Sequence, residues 1–454
     1  KRRTKYNHRR TDSCSAEIER DCKPVGFAVS LRLREEHAII STTNRDLELR
    51  NMNNRTLIEK CAERYDSFYL YDEKGILEAL SKLKRCFPDV SFLYSIKCNS
   101  NPHVLNCIFG QGLGADAASL GEVLLASEAG LTRNQIYYSA PGKTAKEIEG
   151  ASTKATLIAD SLDEVARIQQ VAARTGGVFR VGLRINPDFT FDNSHGLPSK
   201  FGIDEEQAVR FLQKYNYENV EINGIHVHLK SQELNPDNLA AYYDKMFGLA
   251  KRFYDICGGL EYVNMGSGIG VPYAESDTPL DLPYLGKFVQ EHIRKFREIC
   301  PGTRVIIELG RFAVCKHGVY VTKVLDRKES YGKTFVILKN TMNGFLRPSL
   351  AKLVERYTQG LSQTSVEPLF TCANAFQFLP LTEHKEVETV TLVGNLCTAA
   401  DVIAENVVLP HLECGDCVVI TNAGGYAAVL SPMQFSSQDR PIEIFMTQDG
   451  ELIT

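Results

Sequence analysis

The apolar, β-prone run SFLYSIK (Ser91 to Lys97) ends in a lysine, and polar Asn99, Ser100 and Asn101 follow closely. An ammonium at the end of a buried strand is costly unless it is paired or used, and lysines used this way attack carbonyls through the free amine. Other residues offer complementary chemistry. Gly266, Ser267 and Gly268 close the run LEYVNMGSG in a turn whose backbone N–H groups can cradle an anion. Glu308 and Arg311 end TRVIIELGR, and His228 lies near the end of VEINGIHVHLK. An amine for an aldehyde, a turn and an arginine for a phosphate, and a carboxylate for a protonated pyridine nitrogen are the parts of a pyridoxal-phosphate site. No strand-opening dinucleotide fingerprint accompanies the glycine turn.

These groups sit on a repeating frame. Between residues 90 and 311, eight β-rich runs (SFLYSIK, GLGADAAS, IYYSAP, TLIADS, FRVGLRIN, VEINGIHVHLK, LEYVNMGSG and TRVIIELGR) alternate with amphipathic stretches such as SLDEVARIQQVAARTG and DEEQAVRFLQKY. The alternation predicts an α/β fold, a parallel (β/α)8 barrel with an open doubly wound sheet as the alternative; in a barrel, catalytic groups gather at the carboxyl ends of the strands. Those ends carry Lys97, Asp116, Ser139, Asp160, Arg184, His228, the Gly266–Gly268 turn, and Glu308 with Arg311. Beyond residue 312, runs such as GVYVTKVLDRK, EVETVTLVGNLC and DCVVITNAGG are β-rich with few helical patterns, which predicts a second, mainly antiparallel β-barrel or sandwich domain. FYLYD (Phe68 to Asp72) is expected to add a strand to it. The expected organisation is a basic tail at 1–35, the barrel at 73–315, and a β domain built from 36–72 plus 316–454. Residues 352–386, weakly periodic, read as an insertion near the mouth of the site.

A chain of 454 residues with 43% hydrophobic and 24% charged residues is of ordinary globular composition and long enough for two domains. A net charge of −4 argues against nucleic-acid binding, which needs a basic surface, and no apolar run approaches a membrane span. Thirteen cysteines, an odd number spread over a large chain, suggest reduced thiols and a cytoplasmic setting. The basic start KRRTKYNHRR is followed by TDSCSAEIERDCK, not by an apolar run, which predicts a tail and not a signal peptide. His411, Cys414 and Cys417 in HLECGDC read as a surface turn; a zinc site would need a fourth ligand, so no metal is expected.

In its motifs the chain resembles the fold-type III pyridoxal-phosphate decarboxylases, the group of diaminopimelate and ornithine decarboxylases, whose barrel is alanine-racemase-like. The resemblance runs from about residue 65 to 450 and rests on YSIKCNSN, GADAASLGE, RINPD with SKFG, HVHLKSQ, NMGSGIG, ELGR, MNGFLRPSL, GNLCTAAD and NAGGYAA. It implies that Lys97 bonds the cofactor covalently and that Glu308 partners its ring nitrogen. Arg311, the Gly266-Ser267-Gly268 turn, Ser231 and Tyr426 would hold its phosphate, and His228 would stack on its ring. Asp116 and Arg184 would belong to its surroundings. Cys397 resembles the cysteine that returns a proton after carbon dioxide leaves, reaching the site from the second subunit of a homodimer with shared active sites.

Several positions depart from the family pattern. Leu309, Ser267, Lys230 and Asn395 replace residues that shape the backbone, and Ala351 stands where diaminopimelate enzymes carry a tyrosine. Thr398 follows Cys397 where the family carries an acidic residue for a distal amine, while Arg347 keeps the place used for a distal carboxylate. The resemblance therefore implies an amino-acid substrate or conjugate, carrier-bound groups included, with a distal anion and no tightly gripped distal ammonium. The alternatives are a true meso-diaminopimelate decarboxylase and an inactive relative acting as a binding or regulatory protein. A racemase or a barrel-only cofactor carrier fits the β-domain motifs less well.

Overall fold

The computed structural model describes residues 55–191, 195–266, 268–274, 276–357 and 370–454. The expected tail at 1–35, the stretch 36–54, Ser267 and residues 358–369 of the expected insertion lie outside the described residues.

Strand β1 (Ser67–Asp72) belongs to the second sheet described below. The barrel strands follow: β2 (Val90–Ser95), β3 (Gly114–Ala117), β4 (Ile136–Tyr138), β5 (Thr156–Ala159), β6 (Phe179–Asn186), β7 (Ile203–Asp204), β8 (Val220–His226), β9 (Tyr262–Asn264) and β10 (Arg304–Leu309). All pair in parallel. β5 joins β6 and β10 joins β2, so eight strands close into a ring with the two-residue β7 attached to β6. Each of the eight expected β runs supplies one strand of that ring.

The ring is positioned by its own alternation. Leu93, Tyr137, Ile158, Tyr262 and Ile306 form a buried cluster separate from the core that packs on the helices. Gly224 makes room for the Tyr262 ring, since a Cβ there would lie 2.3 Å from a ring carbon. Side chains two residues apart share a strand face. Two positions on from these residues stand Ser95, Ser139, Asp160, Asn264 and Glu308, so the apolar plug carries a polar floor. Helix caps hold the return segments. Asn101 accepts from the His103 and Val104 N–H groups, and Ser161 caps the helix Leu162–Thr175, which ends at Gly176 with φ 74°.

The second sheet contains β1, β11 (Gly318–Ser330), β12 (Lys333–Leu338), β13 (Phe378–Leu381), β14 (Val387–Gly394), β15 (Val402–Pro410), β16 (Cys417–Ile420), β17 (Ile442–Met446) and β18 (Leu452–Ile453). Its pairings are antiparallel except β1 with β17 and β12 with β14. β1 lies between β11 and β17, the place expected for FYLYD in the β domain. The segment read as an insertion is partly sheet, because β13 pairs with β16. The Cys414–Gly415 turn, with Gly415 at φ 99°, leads into β16. No helix among the described residues is long and apolar enough to cross a membrane.

Candidate active site

A cavity of about 860 Å³ opens at the carboxyl ends of the barrel strands. Lys97, Asp116, Arg184 and His228 line it, as do Ser231, Glu308, Arg311 and Tyr426. Eight residues expected from five different barrel strand ends and the β domain thus meet on one surface.

Lys97 lies in the single 3₁₀ turn Ile96–Cys98 directly after β2, its side chain 41% exposed to the cavity. Its Nζ stands 2.5 Å from Asp116 Oδ2. Asp116 is buried and also accepts hydrogen bonds from the Ser95 and Ser139 hydroxyls, each at 2.8 Å. Burial works against the Lys97 charge, but the Asp116 carboxylate, with Tyr426 and Glu308 beyond it, outweighs burial and raises the amine above its ordinary value. Lys97 is therefore stored as an ammonium.

Glu308 is 3% exposed, near the end of β10. Asn264 Nδ2 donates to its Oε1 at 2.9 Å, His226 Nε2 lies 3.0 Å from the same oxygen, and His228 Nδ1 lies 3.4 Å from Oε2. Burial alone would raise the carboxyl, but the two histidines hold it well below the usual range, so it stays an anion. Asn264 and His226 were not picked out from sequence. The signal was present in HVH, since His226 and His228 alternate onto the same face.

Arg184 Nη1 lies 3.4 Å from Asp160, and its guanidinium sits 4.4 Å from the centre of the Phe201 ring. The Arg311 guanidinium sits 4.8 Å from the centre of the Tyr426 ring. Tyr426 arrives from the loop after β16 with φ 50°, its N–H donating to the Cys98 carbonyl at 2.7 Å. Asn99 Nδ2 donates to the Gly424 carbonyl at 2.9 Å, so the loop is tied to the residues following Lys97. A Cβ at Gly424 would lie 1.8 Å from the Val314 carbonyl oxygen, which is why this approach needs glycine. Burial pushes the Tyr426 phenol up to about 12, leaving it a donor at neutral pH. Ser231 Oγ lies 3.4 Å from His228 Nε2. Gly266 holds φ 65°, and a Cβ there would lie 2.2 Å from the Val227 carbonyl oxygen.

Three expected residues stand elsewhere. Arg347 is 0% exposed and does not line the cavity. Its Nη1 donates to the Gly425 and Asn422 carbonyls at 2.7 and 3.2 Å, and its Nε to the Phe370 carbonyl at 2.9 Å. Here Nη1 and Nε are engaged by backbone carbonyls, so the guanidinium ties the Tyr426 loop to Phe370. Cys397 and Thr398 also lie outside the cavity of their own chain. Cys397 is exposed, its Sγ 3.8 Å from Ser436 Oγ, and Thr398 Oγ1 accepts from the Ala400 N–H at 3.3 Å.

The residues present fit pyridoxal phosphate. Arg311, Ser231 and Tyr426 offer donors for a phosphate, Glu308 offers an anion for a protonated ring nitrogen, and Lys97 offers an amine. Residues 73–315 match the family described as "Pyridoxal-dependent decarboxylase, pyridoxal binding domain". The chain is 34% identical over 406 residues to an L-glutamyl-[BtrI acyl-carrier protein] decarboxylase of Niallia circulans, covering 85% of this chain and 90% of that one. It is 30% identical over 387 residues to a diaminopimelate decarboxylase of Helicobacter pylori, covering 83% and 89%. A crystal structure of diaminopimelate decarboxylase from Helicobacter pylori complexed with L-lysine superposes with a TM-score of 0.74 at 27% identity, covering 87% of this chain and 95% of that one. The chain belongs to the pyridoxal-dependent decarboxylases, as a pyridoxal-phosphate-dependent amino-acid decarboxylase of the diaminopimelate-decarboxylase type.

Proposed function

We propose that this decarboxylase acts on an amino-acid conjugate, of the class of carrier-bound aminoacyl groups, and that it works as a homodimer with shared sites. The observation that carries the catalytic part is the convergence of Lys97, Glu308 and Arg311 on one cavity. The bound cofactor supplies a sink for the electron pair left when carbon dioxide departs. Around it, Lys97 would anchor covalently through Nζ after giving up a proton, with Asp116 beside it as the acceptor. Glu308 would hold the ring-nitrogen proton, and His228 would pack on the ring face. Arg311, Ser231, Tyr426 and the turn at Gly266 and Gly268 would grip the phosphate, while Arg184 braces the wall.

Cys397 would return the proton at the reacting carbon. Its exposure, away from the cavity of its own chain, supports delivery from a second copy. Thr398 beside it has no charge with which to hold a distal ammonium, and this supports a conjugate over a free diamino acid. The likeness to the carrier-bound glutamyl enzyme points the same way, and the apolar lining supplied by Phe191, Leu197, Pro198 and Phe370 suits an apolar arm. Eleven described cysteines are free thiols, which supports a reducing, cytoplasmic setting.

The likeness to diaminopimelate decarboxylases supports a second reading, free meso-diaminopimelate as substrate. The purified protein, supplied with pyridoxal phosphate, is to be offered meso-diaminopimelate, ornithine and carrier-linked or acylated amino acids, with carbon dioxide and product mass as readouts. Preference for the conjugates is expected; efficient turnover of meso-diaminopimelate would favour the second reading. Sedimentation, with Cys397→Ala and Lys97→Ala chains mixed, tests the shared site. Mixed dimers should regain part of the activity, and no regain would rule out sharing.

A further inference from the structure

We propose that His226 is a positioning residue, which fixes the rotation of the Glu308 carboxylate and reserves its Oε2 for the ring nitrogen of the cofactor. The inference rests on reading Glu308 as that nitrogen's partner.

A carboxylate has two equivalent oxygens, and a barrel floor that left both to chance would present the wrong lone pairs half of the time. Here the two oxygens are treated differently. Oε1 takes the Asn264 amide at 2.9 Å and has His226 Nε2 at 3.0 Å, one group from β9 and one from β8. Oε2 meets the longer His228 contact of 3.4 Å, from a ring that is 29% exposed. Asn264 is itself fixed, since its Oδ1 accepts the Gly266 N–H at 2.9 Å, and Glu308 N–H donates to the Gly266 carbonyl at 2.7 Å. The hold on Oε1 is thus joined to the glycine turn, while Oε2 keeps only the looser contact to His228, beside the cavity that His226, His228 and Glu308 all line.

His226 suits this task. It is 1% exposed, and the charged groups that act on it are Glu308 on β10, Arg184 on β6 and Asp116 on β3, with His228 two residues on. Arg184 is engaged by Asp160 and Asp116 by Lys97, which leaves Glu308 as the ring's own partner. Burial lowers the imidazole below its ordinary value, so the ring is neutral and carries one proton. Neither ring nitrogen makes a full hydrogen bond among the described residues, but Nε2 has the Glu308 Oε1 acceptor at 3.0 Å, so the proton is of use on Nε2. The Nε2–H is not aimed squarely at Oε1, and contacts of this kind tighten when a site is loaded.

The test compares holoenzyme from wild type, His226→Phe and His226→Gln. The readouts are the pH dependence of the visible band of the bound cofactor, its dissociation constant, and the acid limb of kcat. Removing one donor should let the Glu308 carboxyl rise, so the acid limb and the spectral transition of His226→Phe should move up by about one pH unit. Its cofactor should bind about 10-fold more weakly or worse, the usual consequence of losing an outer-shell partner. His226→Gln, whose amide can still donate, should recover most of both shifts. If the Phe variant does not fold, His226→Asn, too short to reach, replaces it against Gln. Unchanged titrations in the folded Phe or Asn variant, or equal defects in Gln and Phe, would overturn the inference. A wild-type protein with no visible cofactor band would instead overturn the site reading beneath it.

Discussion

Two lysines stand at the ends of barrel strands β2 and β4, each against a carboxylate 2.5 Å away, and they have opposite fates. Lys97 is 41% exposed along its side chain and has Asp116 as its hydrogen-bond acceptor. Lys143, in the loop after β4, is fully buried; its Nζ donates to Glu164 and, at 2.6 Å each, to the Ala140 and Ile158 carbonyls. All three ammonium protons of Lys143 are spoken for, so it is a rivet between the β4 and β5 ends. Lys97 keeps an open side on the cavity. Burial lowers the Lys143 amine despite Glu164, while Asp116 raises Lys97 despite burial. An ion pair is therefore no guide to role, and the remaining valences of the amine are.

The sharpest way to break this contrast is to truncate each lysine. Lys97→Ala should lower decarboxylation at least about a thousandfold and abolish borohydride labelling, with the melting curve nearly unchanged. A Lys97→Ala enzyme with intact turnover would overturn the assignment. Lys143→Met should do the reverse by stranding Glu164, costing about 3–5 kcal/mol in denaturant unfolding, and Lys143→Met with Glu164→Leu should regain most of that. Arg347 extends the comparison as a second buried cation that holds backbone. Arg347→Met should loosen the Tyr426 loop and weaken cofactor binding about 10-fold, measured by equilibrium dialysis. The smallest effect belongs to Asp116→Asn. With the carboxylate gone, burial dominates and the Lys97 amine falls, so borohydride labelling should set in about one pH unit lower. A shift upward would mean that Asp116 does not set the charge on Lys97.

The sequence made Lys97 legible and left Lys143 silent for a physical reason. Lys97 directly follows an apolar run, so its place at the carboxyl end of a buried strand follows from the pattern. Lys143 follows the Pro141-Gly142 pair, where nothing in the pattern says that the chain turns inward. Eight strands, their order and the groups at their ends were readable because each apolar run had to be buried on both faces. The burial of Arg347 was not legible because a motif position gives a neighbourhood and not an orientation. Its guanidinium meets carbonyls more than seventy residues away in Asn422 and Gly425, a contact no local spacing encodes. His226 and Asn264 were missed because they act through Glu308 and not on the cavity's centre.

The pairing of β1 with β17 also has a temporal consequence. Residues 67–72 find one strand partner only when residues 442–446 have been made. Tyr426, tied to Cys98 across more than three hundred residues, arrives almost as late. The cavity therefore gains its Tyr426 wall only after every barrel strand has been made, so a chain cut short between the two would carry Lys97, Glu308 and Arg311 without that wall.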